Sequence, residues 1–569
     1  MPNEAACPVW SGINLRRQDD GTASSPARQG SQRRAGRLVP VALISALVLP
    51  NHLMAQGDAL PDGVTVTQPV AQPLSAIDWL NDSTGLALPQ LSPDRGALAG
   101  QLPIAEPPVS DSAVIPDVTV TPLDSAGLDA VGLLPASVSG LPLSLWQGSQ
   151  TADLVSLIDE PLRGGLPAMQ TLLYTLLLAE ADAPADAGLD SRLLQARIDA
   201  LMRLGAVETA QALLERAGPE TPELFARWFD ATLLTGAEDT ACAALLRAPH
   251  LSPSYGAQVF CTARRGDWAS AMLTLDTARA LDALPEIEAE LLARFMDPEL
   301  FEDMDLPRAP VRPTPLVFRL YEALGEPLTT APLPRAFAVA DLRDTAGWRA
   351  QIEAAERLAS SGALAANRLL GIYSAREPAA SGGVWDRVAA VQRFDDAMRA
   401  GDSNAVSVTL PRVWPAMLAA DLGVAFSSLY SSALMRLDLS GSTAALAYRI
   451  ALLGPDYEAA ALAQAGSHPL FGFASGIARG QTDGLVASDA MQAAILQGFK
   501  ADAPPDVMAS LLAEQRLGEV ILRTIQMLQR ATQGELTGLA DGIATLRSVG
   551  LEDTARRAAL QLVLMDRRG

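Results

Sequence analysis

GAVETAQALL (205–214), GAEDTACAALL (236–246) and GDWASAMLTL (266–275) are three versions of one phrase, and their reading decides the fold. Their glycines stand 31 and 30 residues apart. Five residues after each Gly comes an Ala, at Ala210, Ala241 and Ala271, each preceded by a small hydroxyl at Thr209, Thr240 or Ser270. A fixed period of this length marks a supersecondary unit that cannot bury its apolar face alone and must stack on its neighbours. The Gly ends the first helix of a hairpin, where a left-handed backbone costs little. The Ala lies one turn into the second helix, where two backbones approach and only a small side chain fits. Leu214 and Leu275 then face the next hairpin.

The phrase returns in weaker form. GLEDTARRAAL (550–560) keeps Gly550, Thr554 and Ala555 at the same offsets. GALAANRLL (362–370) has Asn367, and GDSNAVSV (401–408) has Val406, where the Ala stood. Composition agrees with helix: 49% of residues are apolar but only 5% aromatic, so the apolar share is mostly Ala and Leu. MQTLLYTLLLAEA (169–181) reads as a strongly apolar helix. The expectation is an all-α chain, an irregular α-solenoid of helical hairpins.

GDWASA (266–271) resembles the Gly-x-aromatic-x-x-Ala turn of the tetratricopeptide repeat family. The resemblance covers about a hundred residues, from 189 to 282, and implies stacked helical hairpins that hold a peptide or protein partner. It departs in period, 30–31 against the family's roughly 34. It departs also in the aromatic, which only Trp268 supplies, with Val207 and Glu238 standing there in the other copies. The chain as a whole resembles a group of exported, Ala/Leu-rich alphaproteobacterial proteins, some named after antifreeze glycopeptides. LFARWFD (224–230), FCTARRGDW (260–268), GLEDTARRAALQL (550–562) and VTVTPLD (118–124) carry that resemblance. It implies no activity.

The N-terminus reads as an export signal. Arg33, Arg34 and Arg37 precede the apolar run Leu38 to Leu49, Pro50 and Asn51 break it, and Leu53-Met54-Ala55 offers a small residue for cleavage. The run of 12 residues is too short for a bilayer, which needs about 20, and no later stretch is apolar enough to span. Residues 1–55 are therefore expected to be a leader, and the mature chain periplasmic. The net charge is −22; residues 1–55 contribute +3, leaving −25 on the remainder. So acidic a body repels nucleic acid and anionic headgroups, which excludes DNA or RNA as a partner.

From 56 to 145 Pro recurs every few residues, which predicts an extended or disordered tail. Within it Ile77, Trp79 and Leu80, and the alternating Val118 and Val120, are expected to dock, on this chain's own helical body or on a partner. The helical repeats are expected over 146–300, a Pro-rich interruption with a helix at 316–328 over 301–345, and degenerate hairpins over 346–569.

After cleavage two Cys remain, Cys242 and Cys261, on the second helix of one hairpin and the first helix of the next. An oxidising compartment predicts a disulfide between them. His250 and His468 each stand alone, which leaves no ordinary zinc site. The acidic run DPELFEDMD (297–305) lacks the Gly and the ligand periodicity of a calcium loop. Lys500, the only Lys, follows Phe499, so there is no Walker loop; His-Glu-x-x-His and Gly-x-Ser-x-Gly are also missing. GVWDRV (383–388) reads as a turn into a helix with Trp385 as packing anchor. No catalytic residue, metal or cofactor is implied. The function expected is a periplasmic, non-catalytic scaffold for a protein or peptide of the cell envelope. The alternative is an accessory or structural envelope protein like the superhelix of lytic transglycosylases, but without the Glu-Ser dipeptide of their catalytic domain.

Overall fold

The computed structural model describes residues 127–160, 165–252, 254–464 and 468–565. Every described residue lies in one compact unit within Val114–Gly569. The leader and the tail candidates Ile77, Trp79, Leu80, Val118 and Val120 lie outside the described residues.

The described residues are all-helical, with no strand among them and one isolated bridge between Leu134 and Ala179. Helices α1 (Thr151–Asp159) and α2 (Pro167–Leu178) lead into three tandem hairpins. These are α3 (Arg192–Leu204) with α4 (Val207–Ala217), α5 (Pro222–Thr235) with α6 (Glu238–Arg247), and α7 (Tyr255–Arg264) with α8 (Trp268–Ala280). Then come α9 (Glu286–Met296), α10 (Pro315–Ala323), a 3-10 helix at Arg335–Leu342, and α11 (Trp348–Ala359). From α3 to α10 each helix packs on its sequence neighbour.

Local physics accounts for the hairpins. Gly205, Gly236 and Gly266 stand between paired helices at φ +86°, +83° and +88°, a region open to Gly and costly for other residues. Ala210, Ala241 and Ala271 are fully buried, as is Ala555 in the last copy. Leu194, Leu201, Leu213 and Leu214 have no exposed surface, and burying each contributes roughly 1.5–3 kcal/mol.

The two ends of this unit meet. The helices Leu517–Ala531 and Glu552–Leu564 pack on α1 and α2. Side chains from them satisfy donors at the start of α2, where the first N–H groups have no partner within the helix. Gln561 Oε1 accepts from the Ala168 N–H at 2.8 Å, and Gln529 Oε1 from that of Leu166 at 3.3 Å.

The expectation of an extended or disordered stretch up to 145 needs correction from 127 onward. Residues 127–146 are folded into two 3-10 turns and the helix Ala136–Ser139, with Leu141, Leu145 and Trp146 buried. Pro135 and Pro142 precede helical turns here, positions where a fixed φ and a missing N–H cost nothing. The staple is Arg197 of α3, which has no exposed surface. Its guanidinium donates to the carbonyls of Leu177 (2.8 Å), Ala179 (3.0 Å), Val131 (2.8 Å) and Asp129 (3.1 Å). The Asp129 carboxylate in turn accepts from the Leu194 N–H at 2.7 Å.

The stretch 301–345 is likewise more than an interruption. Its 3-10 helix packs on α3, α5 and α11, and Phe337 meets Phe318 of α10 edge to face at 5.2 Å. The turn glycines accommodate this return. A Cβ on Gly205 would stand 2.6 Å from Leu358 Cδ2 and 2.9 Å from Arg335 Cγ, and one on Gly236 3.2 Å from Arg343 Cδ. Gly266, outside this contact, faces nothing within 4 Å.

Candidate functional site

Where the third hairpin meets the returning segment there is a cleft of about 610 Å³, within the roughly 300–1,000 Å³ of ligand sites. Phe260 of α7, Phe295 of α9 and Phe318 of α10 form its apolar wall. The loop 327–331, the end of the 3-10 helix and the exposed side of α11 complete it.

Several of its charged groups form one network. Glu238 of α6, 1% exposed, holds Arg319 (Nη2 at 2.8 Å) and Arg264 (Nη1 at 3.2 Å). Arg319 also donates to Glu322 at 2.6 Å, and Arg343 donates to the same oxygen at 2.7 Å. Burial would raise the Glu322 carboxyl, but the guanidiniums of Arg343 and Arg319 outweigh it and hold it below the usual carboxylate range. Asp341 goes the other way. Burial raises it, and the Thr330 hydroxyl bonded to it, with Arg343 and Arg357 nearby, offsets only part of that. Arg357 of α11 donates to the carbonyls of Thr330 and Leu333, both at 2.9 Å, and makes no ion pair among the described residues.

The disulfide stands behind this network. Cys242 and Cys261 are bonded, with Cα atoms 4.9 Å apart, joining α6 to α7. Glu238 lies one helical turn before Cys242, and Arg264 three residues after Cys261. The bond therefore ties together the two helices that carry these partners.

The other sequence candidates sit elsewhere or play packing roles. Trp268 begins α8, is 48% exposed, and contacts Phe295 with ring centres 6.2 Å apart. This places an exposed aromatic beside the cleft wall. Trp385 pairs with Trp348 at 5.2 Å. Gly550 marks the turn before the last helix and Ala555 is buried in its first turn, far along the chain from the cleft. His250 is exposed in a 3-10 turn, and His468 stacks on Tyr448 at 4.9 Å and bonds to Gln464; neither lines the cleft. Residues 302–305 of the acidic run are exposed. Among the described residues no group of three or more His, Cys, Asp or Glu is placed to hold a metal ion, and no helix is long and apolar enough to cross a membrane.

Sequence reasoning missed Arg319, Glu322, Asp341, Arg343 and Arg357. The one local signal was the Arg319–Glu322 spacing, which places an ion pair on one helix face. The other groups come from segments with no shared motif. No protein-family model, no curated protein and no solved structure matches this chain.

Proposed function

We propose that the protein is an exported, periplasmic, non-catalytic scaffold that holds a protein or peptide partner of the cell envelope, with tetratricopeptide-like hairpins as its frame. The observation that carries this reading is the cleft between the third hairpin and α11, walled by aromatic rings and guanidiniums. Its acids support binding over catalysis. Glu322 is shared by two arginines, Asp341 is bonded to Thr330, and Glu353 pairs with Arg349 at 2.8 Å, so each carboxyl already has a partner. The Cys242–Cys261 bond supports an oxidising compartment, and the N-terminal Arg-then-apolar pattern supports export.

The test is crosslinking and affinity capture from intact cells, comparing the full chain with an Ala350→Trp variant. Ala350 lines the cleft and is only partly buried, so the larger ring fills the cleft without entering the core. A discrete partner captured by the full chain and lost by the variant supports the reading. Equal capture by both overturns it.

A further inference from the structure

We propose that Glu288 is a pH-sensitive latch: neutral, its carboxyl holds the start of α9 against the first turn of α7, and ionised, it releases that turn.

α9 meets α7 through a carboxyl, where an apolar side chain would be ordinary. Glu288 stands in the first turn of α9 and is 8% exposed. Its Oε1 fills the space over Gly256, in the first turn of α7. A Cβ on Gly256 would stand 1.6 Å from that oxygen and 3.3 Å from Leu316 Cδ2 of α10. Gly256 is helical and has no positive φ, so the backbone does not require a glycine there. Room for the carboxyl does.

That carboxyl makes no hydrogen bond or ion pair among the described residues. Ser254, the N-cap of α7, takes the Ala257 N–H at 3.3 Å, and Tyr255 bonds to neither Glu288 oxygen. α7, α8 and α10 pack on α9, and their charges are engaged elsewhere or face water. Arg264 is held by Glu238 and Asp239, and Arg319 by Glu238 and Glu322. Asp267 lies beside Arg265, while Asp276 and Arg279 are exposed. On α9 itself Glu290 pairs with Arg294, and Glu286 is exposed. The charged group that does reach Glu288 is another acid, Asp230 of α5, and like charges disfavour each other's ionised form. Arg227, beside Asp230, is held by both oxygens of Asp199 at 2.8 Å. His250, in the 3-10 turn packed on α5, is exposed and bonds to neither acid.

An ionised carboxyl in such a place is costly unless paired. The positive end of α7 favours the charged form. No N–H of that turn donates to it, however, and burial prevails, holding the carboxyl above its ordinary value of 4.5. Stability from a group raised in this way is present in acid and lost as pH rises. The loss is local. The ionised carboxyl regains water by moving off Gly256, which parts the start of α9 from the start of α7. Glu288 stands seven residues before Phe295, and Gly256 four before Phe260. These two rings, 5.7 Å apart, belong to the cleft wall, so the opening reaches the cleft. The latch does not depend on what the cleft binds.

The experiment is amide hydrogen exchange of the full chain, read as protection factors from about pH 4.5 to about pH 7.5. Protection at 255–260 and 286–292 is expected to fall roughly tenfold or more relative to α3 and α4, a factor of ten for each pH unit by which the folded carboxyl titrates above the unfolded one. Glu288→Gln keeps the shape and cannot ionise, so it should hold protection level across the range. Gly256→Ala drives a methyl into the oxygen and should lower protection at 255–260 even in acid. Thermal melts in acid confirm that each variant is folded. Should Glu288→Gln fail to fold, the wild-type profile and Gly256→Ala still decide. A wild-type profile that is flat or falls equally in α3 and α4, the same fall in folded Glu288→Gln, or wild-type protection in folded Gly256→Ala overturns the latch.

Discussion

The tandem hairpins at 192–280 and the Pro-bearing segments at 127–146 and 301–347 reach order by different routes. In the hairpins each helix packs on the helix before and after it, and the turn is written in one Gly. In the Pro-bearing segments order is imposed from a distance. Arg197 of α3 holds the carbonyls of Asp129 and Val131, more than sixty residues earlier in the chain. The 3-10 helix at 335–342 lies on α3 and α5, more than a hundred residues before it. The difference teaches where a cleft forms. The cleft lies not among the consecutive helices of 192–280 alone but where the returning segment meets them, since that is where unlike side chains converge.

The comparison can be broken most forcefully at Arg197. Burial, offset in part by Asp129, lowers this group to about 10, still charged at neutral pH. Arg197→Ala leaves four carbonyls without their donor and opens a cavity, with an expected loss of about 3–5 kcal/mol in urea unfolding. Amide exchange should rise first at 128–134. Protection there equal to the wild type would show that the segment does not depend on the staple.

Removing the disulfide with Cys242→Ser and Cys261→Ser should cost about 3 kcal/mol for a closed loop of this size. The loss should fall on α6 and α7, and with them on the positions of Glu238 and Arg264. An unchanged melting temperature would contradict this.

The turn glycines sharpen the comparison. Gly266→Ala meets only the left-handed backbone cost, about 1–2 kcal/mol. Gly205→Ala meets that cost and also pushes on Leu358 and Arg335, so it should be the more destabilising of the two by about 1 kcal/mol or more. Equal losses would show that the returning segment does not press on the turn.

The smallest effect is a pH slope. Burial raises the half-buried Asp230 of α5 to about 7, with the Arg227 guanidinium opposing and Asp199 and Glu288 adding to it. A carboxyl raised in the folded state keeps its proton longer than in the unfolded chain. Stability from it is present in acid and is lost as pH rises from about 4 to about 7. Asp230→Asn should flatten the melting temperature across that window; an unchanged slope would contradict the shift.

Much of the fold was legible because its cause is local. A Gly at a fixed spacing followed by Ala reports a turn and a close helix contact without knowledge of the rest. The two Cys were legible from their places on successive helices. The folded stretch at 127–146 was not, because Pro read as a breaker and its partners lie in α2 and α3. Arg197 carried no signal, since its partners are backbone carbonyls that any residue supplies. The cleft was illegible for a similar reason. Arg264, Arg319, Arg343 and Arg357 follow no period, and it is the return of the chain through 335–342 that brings Arg343 and Arg357 to the other two.

The most direct test of a binding cleft is site-specific photocrosslinking in intact cells. A photoreactive residue is placed at Thr345, exposed on the cleft lining, and as a control at Leu189, 96% exposed in the turn before α3. A discrete crosslinked product from position 345 and none from 189 is the predicted result. The same products from both positions, or none from 345, would contradict it.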